Sequence, residues 1–121
     1  MTDTIELRPI GRVHAREADG GSEIEVHEQF VDGLEGVEEQ EHLWVLYWMH
    51  ELGPEDRQIL RAHPMGDRDR PKRGVFALHS PMRPNPIGLT RVRLLERRGN
   101  RLRVEDLDAR DGSPVLDIKS G

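Results

Sequence analysis

The residues best suited to chemistry lie in a proline-rich stretch, residues 80–89. Three prolines within six positions fix the backbone φ angle and push the preceding residues toward extended geometry. Such a loop loses little entropy on meeting a ligand, so it can hold Arg83 and Asn85 in place, and Gly88 permits a close backbone approach or a positive φ. The stretch is also typical of a rigid connector or a proline-rich docking peptide. Because strands are predicted on both sides of it, we favour a rigid site over a docking peptide.

Histidines and carboxylates supply the other candidates. His42 and His50 lie eight residues apart and so share one strand face; His50, at the strand end, is the better site candidate, and His42 suits the core. No pair of histidines has the close spacing of a zinc site. Asp106, Asp108 and Asp111 do not match a calcium loop, and their pattern favours a polar strand face followed by a turn. We therefore predict no metal.

Length and composition narrow the class of protein. The chain has 121 residues and no cysteine, which predicts one domain over residues 1–121 and excludes a disulfide scaffold and thiolate chemistry. No apolar segment reaches the length of about 18 residues that a membrane span needs, and residues 1–4 lack a secretory pattern. We expect a cytoplasmic protein without a membrane partner. The motifs of serine hydrolases, P-loop proteins and dinucleotide-binding domains are absent.

Charge is divided unevenly along the chain. Residues 1–60 carry 4 basic and 15 acidic residues, whereas residues 61–121 carry 14 basic and 8 acidic residues. This asymmetry favours contact of the second half with RNA or another anion, or else pairing of the two halves within one fold. The same two alternatives apply to the arginines of one predicted hairpin, which are Arg91, Arg93, Arg97, Arg98, Arg101 and Arg103.

Short segments separated by turn signals predict strands. The predicted strands cover residues 6–13, 23–27, 42–50, 73–79, 90–97, 101–108 and 115–118. The apolar run 42–50 predicts a strand buried on both faces, with a helix as the alternative for so short a run. Turns are expected at residues 19–21, at 98–100 and at 111–114.

Helix is predicted to be scarce. Glycines within residues 30–36 break any helix, and residues 53–56 open at most one or two helical turns. The expected fold is therefore all-β, a small closed or partly open β-barrel of about seven short strands with at most a short helical turn.

Five blocks of sequence resemble the TsaA/TrmO family, also described as YaeB-like. They occur in the family's order, and the opening Ile10-Gly11-Arg12-Val13 fits its first strand, so that the likeness covers nearly the whole chain. The block around Asn85 is long and rare, which makes the match specific. The five blocks are GLEGV (33–37), HLWVLYWMH (42–50), RGVFA (73–77), RPNPIGL (83–89) and DGSPVLDIK (111–119).

The resemblance implies a homodimeric β-barrel that binds S-adenosylmethionine (SAM) near the subunit boundary. It also implies methylation of N6 of the threonylcarbamoyl-adenosine beside the anticodon of threonine tRNA. A sulfonium suits carboxylates and aromatic faces, and an imidazole is a suitable base near neutral pH. The implied catalytic residues are His50, His79 and Asn85. The implied cofactor contacts are His50, Glu51, His79, Arg83, Leu89, Glu105, Asp106, Leu107 and Asp108.

This chain departs from the family pattern in three places. Longer relatives carry a Pro-Arg-Gln segment after the first strand, where residues 15–22 are short here. His79 stands where the family usually has Arg, which replaces a fixed charge by a titrating one. The chain ends at Gly121, without the additional C-terminal domain of bacterial members. Two alternatives therefore remain: a non-catalytic SAM- or RNA-binding module, and a methyltransferase for another small-molecule or RNA substrate.

Overall fold

The computed structural model describes residues 3–16 and 21–121. Over these residues the chain forms strands and short 3-10 segments. The strands are β1 (Gly11–Ala15), β2 (Gly21–Val26), β3 (His42–Trp48), β4 (Arg61–Ala62), β5 (Arg73–Gly74), β6 (Ile87–Arg98), β7 (Arg101–Glu105) and β8 (Pro114–Ser120). The 3-10 segments are Glu28–Leu34, Val37–Glu39, Asp56–Gln58, Pro64–Gly66 and Val75–Ala77. The turn expected at residues 19–21 falls largely outside the described residues.

Six strands close into a barrel in the order β1–β2–β7–β6–β3–β8. The register places apolar residues opposite one another, with Val13 facing Ile24 and Ile24 facing Leu102. Since side chains alternate between the two faces of a strand, one face of each strand fills the barrel interior. The predicted all-β barrel is confirmed. Its fully buried side chains include Val13, Ile24, Val45, Val92, Leu102, Val104 and Val115.

The chain divides into two compact units. The first comprises residues 1–48 and 88–121 and contains the barrel. The second comprises residues 49–87 and contains a two-stranded sheet, in which β4 pairs with β5. In the second unit the backbone N–H of Val75 donates to the carbonyl of Leu60 at 2.9 Å, and Pro64, Val75 and Pro86 are buried.

The prediction that residues 42–50 are buried on both faces is wrong. The strand covers His42–Trp48, and burial alternates along it. Leu43, Val45 and Tyr47 are buried, whereas Trp44 on the opposite face is 37% exposed. A barrel strand has a single inward face, and an uninterrupted apolar run does not reveal how many faces are covered.

Other elements also begin or end at residues other than those predicted. The first strand covers Gly11–Ala15 rather than residues 6–13; Pro9 lacks the N–H that a ladder requires. Residues 73–79 form only the two-residue β5, because its partner β4 is equally short, and Val75–Ala77 continues as a 3-10 segment. Residues 30–36 were predicted to be free of helix, but Glu28–Leu34 is a 3-10 helix.

The predicted arginine-rich hairpin forms, but β7 ends at Glu105 rather than at residue 108. Asp106 and Asp108 therefore lie beyond the strand and not on a polar strand face as predicted. Strands β6 and β7 pair antiparallel, and Arg98 lies opposite Arg101. Gly99, in the turn between them, has a φ of 58°, a left-handed conformation that favours glycine. The turn expected before the last strand is also present, with β8 beginning at Pro114.

Candidate functional site

The site residues that the resemblance implies are distributed over both compact units. His50, Glu51, His79, Arg83 and Asn85 belong to residues 49–87, and Leu89 with residues 105–108 belongs to the barrel unit.

In the barrel unit, a tyrosine fixes the segment that follows β7. The Tyr47 hydroxyl donates to the backbone carbonyl of Asp108, and it lies 3.0 Å from Thr90 Oγ1. A phenol has one proton, and that proton goes to the carbonyl, so the Thr90 hydroxyl donates to the Tyr47 oxygen. Tyr47 therefore ties residues 106–108 to β6.

The surroundings of Tyr47 accommodate the ring closely. Tyr47 is 5% exposed, and burial raises the pKa of its phenol, outweighing the lowering by the hydrogen bond from Thr90. A Cβ atom at Gly88 would overlap the Tyr47 ring, so glycine is required there. The close backbone approach expected at Gly88 is confirmed.

The chain turns sharply directly after β7. Asp106 has a φ of 71°, a left-handed conformation that aspartate tolerates better than most residues. The turn leaves Asp106 and Asp108 exposed and Glu105 and Leu107 half-buried. On β6, Leu89 is 48% exposed. In chemical terms, these residues offer three carboxylates, an anchored backbone and two apolar side chains.

In the second unit, two arginines brace the proline-rich loop. Arg57 Nε donates to the carbonyl of Pro84 at 2.7 Å, and Arg57 Nη2 lies 3.5 Å from Asn85 Oδ1. Arg83 Nη1 donates to the carbonyls of Leu78 and Ser80 at 3.2 and 3.0 Å. These bonds restrain the loop itself at Ser80, Pro84 and Asn85, and Leu78 just before it.

The candidate histidines and Glu51 lie on the surface. His50 and Glu51 occupy a turn just after β3, and both are exposed. His79 is exposed and lies between the two carbonyl groups that Arg83 binds. His42, expected in the core, is half-buried on the outward face of β3.

The hairpin arginines form ion pairs with carboxylates from both halves of the chain. Arg101 Nη1 lies 2.9 Å from Glu23 Oε1, and Arg97 Nη1 lies 3.1 Å from Glu38 Oε2. Within the hairpin, Arg98 Nε lies 2.8 Å from Glu96 Oε1, and this hydrogen bond lowers the pKa of Glu96. The sequence left two alternatives open, contact of these arginines with RNA or another anion and pairing of charges within the fold. The structure shows the pairing within the fold.

Among the cavities lined by described residues of the barrel unit are two on its surface. One, of about 380 Å³, is lined by Arg16, Glu23, Glu96, Arg98, Arg101 and Arg103. The other, of about 540 Å³, lies beside the 3-10 helix Glu28–Leu34 and Leu43 of β3. No implied cofactor residue lines either of them.

Over residues 3–16 and 21–121, no group of three or more histidine, aspartate or glutamate side chains is arranged to hold a metal ion. Within the same residues, no helix has both the length and the apolarity needed to cross a bilayer.

Sequence reasoning missed two positioning residues, Tyr47 and Arg57. Tyr47 carried a usable signal, since it is the single tyrosine of the chain, and a buried phenol needs a hydrogen-bond partner. Arg57 carried none, because its partners at Pro84 and Asn85 are 27 and 28 positions away.

Comparison with known proteins adds a family and three relatives. Residues 8–120 match the model of the tRNA-methyltransferase O N-terminal domain. A probable S-adenosyl-L-methionine-binding protein of Methanothermobacter thermautotrophicus is 43% identical, covering 95% of this chain and 88% of that protein. An S-adenosyl-L-methionine-binding protein of Archaeoglobus fulgidus is 45% identical, covering 93% and 86%.

Among solved structures, TrmO from Pseudomonas aeruginosa matches with a TM-score of 0.76 and 30% identity. The match covers 98% of this chain and 56% of the TrmO chain. This chain thus spans little more than half the length of that protein.

Proposed function

This chain belongs to the family of the tRNA-methyltransferase O N-terminal domain, and we propose from that premise that it is a SAM-dependent tRNA methyltransferase. The proposed acceptor is N6 of the threonylcarbamoyl-adenosine beside the anticodon. Support comes from the family, from two archaeal relatives named as SAM-binding proteins, and from the chemistry of the site residues.

The anchored segment after β7 is the single observation that carries the proposal. Residues that contact a sulfonium cofactor need negative charge and an apolar surface. Glu105, Asp106 and Asp108 offer the charge, Leu89 and Leu107 offer the apolar surface, and Tyr47 holds the Asp108 carbonyl. The residues present therefore fit SAM. His50, Glu51, His79 and Arg83 complete the proposed contacts.

When bound, SAM supplies a methyl group on a sulfonium, a donor that is already activated. The protein therefore has mainly to align the acceptor nitrogen with the methyl carbon and to accept the proton that the nitrogen loses. His50 and His79 are the proposed bases. Arg83 is a positioning residue for His79, since it binds the carbonyls of Leu78 and Ser80 on either side of it.

Asn85 has a distinct role in the proposal. Its Oδ1 faces Arg57 Nη2, so its amide nitrogen is the group that can donate to a substrate carbonyl. The threonylcarbamoyl group of the proposed acceptor offers such a carbonyl. Arg57 thus sets the orientation of the Asn85 amide.

We propose further that residues 1–121 act as a single functional domain, that the protein forms a homodimer, and that it works in the cytoplasm, where its tRNA substrate is found. The tRNA partner is supported by the family's description.

A second candidate function is a SAM-binding module without transferase activity. The observation that favours it is that both archaeal relatives are described as binding proteins. The two functions share the cofactor and differ only in the transfer step.

Two measurements on one preparation separate these functions. Calorimetry with SAM measures binding, and mass spectrometry of threonine tRNA carrying the threonylcarbamoyl group measures the gain of one methyl group. Binding together with methyl gain supports the methyltransferase, and binding without methyl gain supports the module. Absence of SAM binding would refute both. An Asp106→Asn variant provides the matched control, since it removes one proposed contact to the sulfonium charge and is expected to weaken binding.

A further inference from the structure

The second compact unit presents a strand pair with a long connecting loop. Strands β4 and β5 pair antiparallel, with Arg61 opposite Gly74, and a 3-10 segment follows β5 directly. Within the loop, His63 Nδ1 donates to the backbone carbonyl of Arg70 at 2.7 Å. This bond ties the two sides of the loop together. We call residues 61–77 the β4–β5 hairpin; all of them belong to the second unit.

The β4–β5 hairpin carries positive charge without ion-pair partners among the described residues. It contains five basic residues against two acidic ones, and all five basic residues are exposed. Their side chains also have no hydrogen bond or ring contact to any residue that the structure describes. Arg97, Arg98 and Arg101 of the hairpin β6–β7 differ, because they pair with carboxylates. The five basic residues are Arg61, Arg68, Arg70, Lys72 and Arg73.

Phe76 projects from the end of the same β4–β5 hairpin. It is 78% exposed, although its neighbour Val75 is buried. The backbone around it is fixed, since the Val75 N–H donates to the carbonyl of Leu60 at 2.9 Å and the Leu78 N–H donates to the carbonyl of Val75 at 3.1 Å. An exposed ring on a fixed backbone offers a face on which a nucleobase can stack, and a group held in place in advance loses little entropy on binding.

We propose that the β4–β5 hairpin binds a single-stranded segment of RNA. One base stacks on the Phe76 ring, and the guanidinium groups bind the flanking phosphates, whose oxygen atoms match the planar fork of arginine. The capacity to bind RNA rests on the hairpin side chains alone, whereas the identity of this RNA as the methyl acceptor rests on the proposed function. Phe76 precedes His79 by three residues, which places their Cα atoms at most about 10 Å apart. The stacked base therefore lies near a proposed catalytic base.

An anionic lipid surface is the other polyanion that exposed arginines can meet. Met65 in the loop is 97% exposed, and an exposed apolar side chain beside basic residues is typical of a membrane contact. Asp67 and Asp69 follow it within four residues, and both are exposed. Insertion of Met65 among lipid headgroups would remove water from these carboxylates and bring them against like charge, which is unfavourable. RNA requires no such insertion, so the observations favour RNA.

Fluorescence anisotropy with a labelled anticodon stem–loop of threonine tRNA, measured over a series of salt concentrations, tests the proposal. This RNA is unmodified and lacks the proposed acceptor group, so binding is measured apart from methyl transfer. Phe76→Ala is expected to weaken binding about tenfold with an unchanged slope of log K against log salt, because stacking involves no charge. Phe76→Tyr keeps a stacking ring and is expected to retain an affinity close to that of the wild-type protein.

The double variant Arg70→Gln/Arg73→Gln tests the basic residues. It is expected to weaken binding about tenfold and to lower the salt slope by about 1 or more, because phosphate contacts release counterions. Matched controls lie at exposed positions of the barrel unit, where Arg8→Gln/Arg12→Gln removes the same charge and Leu95→Ala removes an apolar side chain. Both controls are expected to bind RNA as the wild-type protein does. Thermal unfolding of every variant checks that the fold is intact.

Several results would overturn the proposal. They are wild-type affinity in Phe76→Ala, an unchanged salt slope in the arginine double variant, equal losses in the control variants, and absence of RNA binding by the wild-type protein. Sedimentation with vesicles of phosphatidylserine and phosphatidylcholine adds one more: vesicle binding that the double variant loses, with RNA binding retained, would assign the β4–β5 hairpin to a membrane. The proposed function fails separately, since a protein that binds RNA through the hairpin yet transfers no methyl group keeps the hairpin and loses the methyltransferase.

Discussion

The substitution Tyr47→Phe tests whether the segment after β7 must be anchored for SAM to bind. The change keeps the buried ring and removes only the hydroxyl. Two hydrogen bonds are lost, one to the Asp108 carbonyl and one from Thr90. Since Asp108 is exposed and Thr90 half-buried, water can reach the carbonyl that the hydroxyl leaves.

The expected magnitude follows from these two bonds. A typical intramolecular hydrogen bond contributes about 1 kcal/mol net, so the free energy of unfolding should fall by about 1–2 kcal/mol. For a domain of this size, the melting temperature should then fall by roughly 3–10 °C. If ligand binding must re-order the segment at a cost of about 1 kcal/mol, SAM affinity falls about fivefold.

Thr90→Val is the matched control for this experiment. It removes the bond between Thr90 and Tyr47 and keeps the bond from Tyr47 to Asp108. We expect Thr90→Val to lower the free energy of unfolding by about 1 kcal/mol and to leave SAM affinity unchanged. Urea unfolding measures stability, and calorimetry with SAM measures affinity. Equal losses of affinity in the two variants, or unchanged affinity in Tyr47→Phe, would refute the anchoring role.

Three other predictions concern packing, the loop and pH. Gly88→Ala should lower the free energy of unfolding by about 1–3 kcal/mol, because the added Cβ overlaps the Tyr47 ring. The control Gly33→Ala places its Cβ in open space and should change the free energy of unfolding little. Equal urea midpoints for the two variants would contradict this prediction. Arg83→Met should lower kcat for methyl transfer about tenfold at unchanged tRNA affinity, and an unchanged kcat would remove its positioning role. Because the pKa values of three carboxyl groups are lowered in the folded protein, their interactions stabilise the fold above a pH of about 4.5, and this stabilisation is lost as the pH falls further. Acid titration of the free energy of unfolding should show the loss, and high salt should make it smaller. A free energy of unfolding that does not change with pH would contradict the prediction. The groups concerned are Glu25, bound by His14, Glu38, bound by its own backbone and Arg97, and Glu96, bound by Arg98.

The sequence predicted the parts of the fold that local patterns determine. The hairpin β6–β7 follows from two alternating segments around Gly99, and β8 follows from the turn at residues 111–112. The burial of β3 could not be predicted, because the apolar run containing Trp44 does not show how many layers cover a strand. The length of β5 depends on its partner β4, which lies about a dozen residues earlier and is itself too short to recognise.

The candidate site was predictable to a similar extent. Proline spacing predicts a restrained loop around Asn85, but not the arginines that brace it, since Arg57 is distant in sequence. The positive φ of Asp106 leaves no pattern in composition. The charge asymmetry left open whether the hairpin arginines pair internally or meet RNA; the structure shows pairing with Glu23 and Glu38.

Transfer of labelled methyl groups from SAM to tRNA tests the central claim most directly. Threonine tRNA carrying the threonylcarbamoyl group is compared with the same tRNA lacking it, at equal protein and SAM concentrations. The account predicts one methyl group per modified tRNA, located on N6 of the threonylcarbamoyl-adenosine, and none on the unmodified tRNA. Equal labelling of both RNAs, or no labelling while SAM binds, would contradict it.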